Sequence, residues 1–89
     1  MVHHVFFWLK DAGSEKDRDR LIKGLQTLAS IPGILKLHIG LPAETEQREV
    51  VDSSYQVTEI IFFKDLADQA AYQEHPIHQQ FVADCAHLW

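Results

Sequence analysis

The chain has one cysteine, Cys85, which excludes an internal disulfide and suits a reducing, cytoplasmic setting. Long apolar runs are missing as well. No window approaches the ~18 apolar residues of a membrane-spanning helix, so a membrane partner is not expected. The apolar N-terminus, Met1 to Lys10, lacks a basic leader region and a small-residue cleavage site, and reads as a strand. Basic charge is scarce: 8 Lys and Arg stand against 13 Asp and Glu, for a net charge of −5. With no basic stripe interleaved with aromatics, nucleic acid is excluded as an expected partner. Internal repeats and low-complexity tracts are absent too.

The 89 residues suffice for one compact domain over 1–89 and not for two. A hydrophobic share of 46% and a charged share of 24% are those of a globular protein.

Residues 2–10 have strand composition. Alternation sorts them into Val2, His4, Phe6 and Trp8 on one face and His3, Val5, Phe7 and Leu9 on the other. Both faces are mostly apolar, so this strand is expected to be covered on both sides. Asp11-Ala12-Gly13 breaks it, and Ser14 with Asp17 three residues on reads as a helix N-cap. Leu21, Ile22, Leu25, Leu28 and Ala29 then fall within an arc of about 120°. Ile31-Pro32-Gly33 ends that helix.

Ile34 to Leu41 alternates as a half-buried strand, with Leu35, Leu37, Ile39 and Leu41 on the apolar side. Pro42 to Ser54 is a polar, acidic loop whose Glu44, Glu46, Arg48 and Glu49 read as solvent-exposed. Tyr55 to Lys64 is a third strand with two apolar faces. Asp65 caps a short helix to about Glu74, with Leu66, Ala70 and Ala71 as its packing residues, and a last helix follows.

The order β-α-β-β-α-α is that of a ferredoxin-like α+β protomer lacking its C-terminal fourth strand. Its loss from this chain is favoured over a partner chain pairing there. Without it the first strand is left as a long apolar edge. Helices of one chain cover only one face of such a sheet. The other apolar face is therefore expected to take a second copy, giving a homodimer through the open sheet face.

The stretch Tyr72-Gln73-Glu74-His75-Pro76-Ile77-His78 carries the candidate chemistry. Proline at the first helical position makes His75 the expected N-cap. On a helical wheel Ile77, Leu88, Phe81, Cys85, His78, Trp89 and Val82 share an arc of about 140°, so His78 points inward. An inward histidine is either a hydrogen-bonded core residue or a functional one. Its place in the first turn favours a neutral imidazole, which is the form a general base needs. Tyr72 adds a phenol. His4, sharing a face with Phe6 and Trp8, is the candidate second imidazole lining the same cavity. A metal site is not expected, since His75 and His78 lack a third ligand at a known spacing. No cofactor is implied either, and Cys85 reads as inert packing.

These residues resemble the stress-responsive A/B barrel (Dabb) domain family over the whole chain. The likeness rests on His4 to Lys10, Ile31-Pro32-Gly33-Ile34, Gly40, Glu59 to Leu66, and Ala71-Tyr72 through His75-Pro76, His78, Phe81 and Val82. It implies a ferredoxin-like protomer packed face to face in a dimeric α+β barrel. A few plant members look like polyketide cyclases. Carried over, that makes His78 the base, with support from Tyr72, and makes His4 a pocket residue. The first helix of those cyclases contributes a further tyrosine, for which Lys23-Gly24-Leu25 offers no counterpart.

Three readings stay open. One is a binding protein for a small apolar or aromatic ligand near His78, with His4, Phe6, Trp8, His75 and Phe81 around it. The second is a cyclase-like or isomerase-type enzyme using His78 and Tyr72. The third is a purely structural role for the histidines.

Overall fold

The computed structural model describes residues 1–42 and 54–89. The loop expected over Pro42–Ser54 lies largely outside them, and with it the positions of Glu44, Glu46, Arg48 and Glu49. Among the described residues three strands, β1 (Val2–Phe7), β2 (Ile34–Gly40) and β3 (Val57–Phe63), form one antiparallel sheet in the order β1-β3-β2. The helices α1 (Glu15–Thr27), α2 (Leu66–Glu74) and α3 (Pro76–Cys85) pack with it. Short 3₁₀ turns at Leu28–Ser30 and Ala86–Leu88 extend α1 and α3. The fold is ferredoxin-like α+β. Among the described residues no fourth strand follows α3, and β1 and β2 are the sheet edges.

β3 lies in the middle and carries apolar side chains along both faces. Val57, Ile61 and Phe63 are buried toward the helices, while Thr58, Ile60 and Phe62 are half-buried on the far side. Helix packing closes the first face only. Phe7, Val57, Ile61 and Phe63 meet Leu21, Leu25, Tyr72 and Phe81 in a single core. The other face leaves Val2, Phe6 and Trp8 between 42% and 55% exposed.

The helix starts are fixed by their side chains. Ser14 Oγ accepts from the Asp17 amide at 3.1 Å, and Asp65 Oδ1 accepts from the Asp68 amide at 3.0 Å. His75 is the N-cap of α3: its Nδ1 accepts from the Ile77 amide at 3.1 Å, with Pro76 at the first helical position. Such a cap is worth about 1 kcal/mol. Before β2, Gly33 has a φ of 93°, a conformation that side chains with a Cβ rarely adopt.

Several expected positions differ. β1 ends at Phe7, not Lys10. The Leu9 amide turns to Gln56 Oε1 at 2.7 Å and the Lys10 amide to the Leu88 carbonyl at 2.8 Å, so the chain peels off the ladder. In β2 the pairing register shifts between Ile34 and Lys36. The irregularity puts Leu35 outward, 65% exposed, and lets Ile34 pack on the core in its place. Leu41 lies beyond the end of the strand and is half exposed. In α2 the packing residue is Tyr72, while Leu66, Ala70 and Ala71 face solvent. Ala29 and Val82 are exposed too, at the margins of their predicted arcs.

Candidate functional site

The helix-facing side of the sheet is not wholly apolar. β1 turns His3, Val5 and Phe7 inward, and β3 turns Val57, Glu59, Ile61 and Phe63 inward. Register places His3 opposite Ile61 and Glu59 opposite Val5. The His3 imidazole reaches diagonally, bringing its Nε2 to 3.9 Å from Glu59 Oε1. Glu59 is only 3% exposed, and its other oxygen, Oε2, is buried with no hydrogen-bond partner. Leaving such an acceptor unpaired costs about 1–3 kcal/mol.

α2 and α3 bring Tyr72 and His78 over this pair. The Tyr72 ring is the hub, 4.7 Å from the His78 ring, 5.1 Å from Phe63 and 5.9 Å from His3 between centroids. Phe81 lies 6.2 Å from His78 and stacks on Trp89 at 5.7 Å. Tyr72 is fully buried, whereas His3 and His78 are half-buried, so both imidazoles lie between the core and solvent.

Burial sets the electrostatics. It raises the Glu59 carboxyl from 4.5 to about 7. It also raises the Tyr72 phenol, helped by the nearby Glu59, so this hydroxyl stays a donor at neutral pH. Desolvation lowers the His3 imidazole. His78 is lowered too, first by desolvation and then by His3, against a backbone hydrogen bond to Gln73 that favours its charged form. The result is two imidazoles that stay neutral at neutral pH, one phenol and one carboxyl poised to exchange a proton. Among the described residues no three His, Cys, Asp or Glu side chains are placed to hold a metal ion.

Of the side chains singled out in the sequence, Tyr72, His78 and Phe81 come together. His75 stands next to them in the chain, but its ring nitrogen is occupied in capping α3. His4, Phe6 and Trp8 lie elsewhere. Strand alternation puts them on the open face of the sheet, away from His78. There His4 packs on Phe6 at 4.4 Å and bonds Thr58 Oγ1 through Nε2 at 2.8 Å, while Phe6 meets Tyr55 at 5.0 Å. The histidine that shares a side with His78 is His3. Glu59 joins this cluster unannounced by any motif; its one signal in the sequence is a lone carboxylate in the alternating series Val57, Glu59, Ile61, Phe63.

A cleft of about 360 Å³ runs between α1 and α3, lined by Gly24, Thr27, Ser30, Ile77, Phe81 and Asp84 among others. His78 is not in its wall. Phe81, which lines the cleft, lies 6.2 Å from the His78 ring between centroids. Cys85, also beside this cleft region, is buried, and burial raises its thiol pKa, as for an inert packing residue.

The family described as Stress responsive A/B Barrel Domain matches residues 1–89. No curated protein matches the chain. Among solved structures, a dimeric ferredoxin-like protein of unknown function from Thermobifida fusca superposes with a TM-score of 0.75 at 22% identity, covering 98% of this chain and 78% of its own. A Dabb family protein with a ferredoxin-like fold from Mesorhizobium loti gives 0.71 at 26% identity, with 93% and 78% covered. A protein of Arabidopsis thaliana gives 0.76 at 23% identity, with 98% and 82% covered.

Proposed function

The chain belongs to the stress responsive A/B barrel domain family, and from that premise we propose that it binds a small, uncharged apolar or aromatic molecule beside Tyr72 and His78, on the helix side of its sheet. One observation carries this reading: two partly exposed imidazoles, His3 and His78, are held against a buried phenol in a core that is apolar apart from Glu59 among its described residues. Apolar walls with a few convergent polar groups are the usual make-up of a small-molecule site. Their depressed basicity leaves the histidines neutral, which suits an uncharged ligand. A ligand screen by thermal shift tests it. Wild type should gain several degrees with its best ligands, and His78→Ala should lose most of that gain. Equal responses from the two proteins would remove His78 from the reading.

A second reading has its own support. A neutral His78 beside a phenol that keeps its proton is an arrangement suited to proton transfer, with His78 as base and Tyr72 as donor. His78→Gln distinguishes the two, since it should spare affinity far more than turnover if a reaction is catalysed.

The open sheet face is the surface for a second copy of the chain. Exposed Val2, Phe6 and Trp8, with half-buried Ile60 and Phe62, give it an apolar centre, and the neighbour from Thermobifida fusca is dimeric. On this reading His4, Phe6 and Trp8 serve the interface between protomers. The described residues include no helix long and apolar enough to cross a membrane, and the lone buried thiol suits a cytoplasmic location.

A further inference from the structure

The ligand site described above has no direct task for Glu59, yet Glu59 is its most constrained polar group. It stands in the central strand, opposite Val5 on β1 and Ile39 on β2, at a position where packing alone calls for valine or leucine. Its exposure is 3%, one carboxylate oxygen lacks any partner, and the other faces His3 Nε2 at 3.9 Å. His3 is the exposed member of the pair: 25% of its side-chain surface is open, and its ring packs on Tyr72 and Phe63. Glu59 therefore reaches solvent and ligand through His3.

We propose that Glu59 is a positioning residue of this site, sharing a single proton with His3 so that His3 presents it beside Tyr72. The idea rests on the ligand-site reading for its purpose and on the Glu59–His3 geometry for its substance. In one form the proton sits on a Glu59 oxygen and the imidazole is neutral. In the other the O–H bond is broken, an Nε2–H bond is formed, and a carboxylate faces an imidazolium. The pair has no net charge in either form. Closing 3.9 Å to hydrogen-bond length takes a shift of about 1 Å by the His3 ring. Ionisable groups facing the pair are Tyr72 from α2 and His78 from α3. From β2 and α1, among the described residues, the core receives Leu37, Ile39, Leu21 and Leu25. Burial supports the sharing, because it pushes the Glu59 carboxyl up to about 7 and the His3 imidazole down, bringing the two groups into competition for one proton.

The test is an NMR titration of the ligand-free protein, following the Glu59 carboxyl carbon and the His3 ring in wild type and Glu59→Gln. In wild type the Glu59 carbon should titrate well above the ordinary carboxylate range. His3 should move in two steps, the upper one coinciding with Glu59. Glu59→Gln should abolish the upper step and leave His75 and His87 unchanged. A single His3 step that is the same in both proteins overturns the proposal. If Glu59→Gln does not fold, the wild-type carbon decides: titration near 4.5 with no echo at His3 is equally fatal. Because no ligand is present, a failed ligand screen leaves this result standing, and an uncoupled Glu59 leaves the ligand site standing.

Discussion

Glu59 and the two inward histidines draw the pH dependence of stability in opposite directions. The native carboxyl, raised to about 7, binds its proton more tightly than the unfolded chain does. Its contribution is present at low pH and is lost as pH rises from about 4.5 through 7. His3 and His78 are depressed below 6.5, so their contribution is present above that value and is lost as pH falls. Glu59→Gln should therefore match wild type near pH 4 and exceed it at pH 8 by about 3 kcal/mol in urea unfolding. Equal stability at both pH values would mean that the carboxyl is solvated in the native state. At this scale much was legible. The wheel for α3 put His78 inward with Phe81, and Pro76 identified His75 as a cap. Alternation gave two faces to β1 but could not say which one the helices cover, because both are apolar. For that reason the strand pattern points to His4, whereas the structure brings His3 to the site. Ring contacts across α2 and β1, which no local pattern encodes, decide the matter.

α1 and α3 approach each other closely at Gly24. A Cβ built on Gly24 would lie 2.7 Å from Cys85 Sγ and 3.0 Å from Phe81 Cδ1. Alanine there gains about 1 kcal/mol in helix propensity but meets an overpacking cost of about 1–3 kcal/mol. Gly24→Ala should thus lower the melting temperature by a few degrees, and adding Cys85→Ala should recover part of the loss. A melting temperature raised by Gly24→Ala alone would show that the two helices are free to move apart. Element order, caps and breakers followed from local chemistry: Ser14, Asp65 and His75 each accept an amide hydrogen bond where the sequence placed a helix start. The irregularity at Leu35 escaped because β2 reads as unbroken alternation. Its register is fixed by pairing with β3, a tertiary constraint that pulls Ile34 inward.

For the whole molecule the decisive feature is the asymmetry of the sheet. One side carries the core and the His3–Glu59–Tyr72–His78 cluster, and the other carries an aromatic row of His4, Phe6 and Trp8. That a strand with two apolar faces needs two covers was readable from the sequence. What covers the second face is a matter of assembly, which lies beyond the periodicity of one chain. Wild type should sediment as a dimer at micromolar concentration. Phe6→Glu, placing a charge in the middle of that row, should give a folded monomer with unchanged circular dichroism. A monomeric wild type would contradict the assignment of this face to a second copy. Ligand binding on the helix side is checked by NMR shift mapping of small aromatic fragments such as 4-methylphenol. Perturbations should appear at His3, Tyr72 and His78, with His4, Phe6 and Trp8 unmoved. Shifts confined to the open face, or none anywhere, would contradict it.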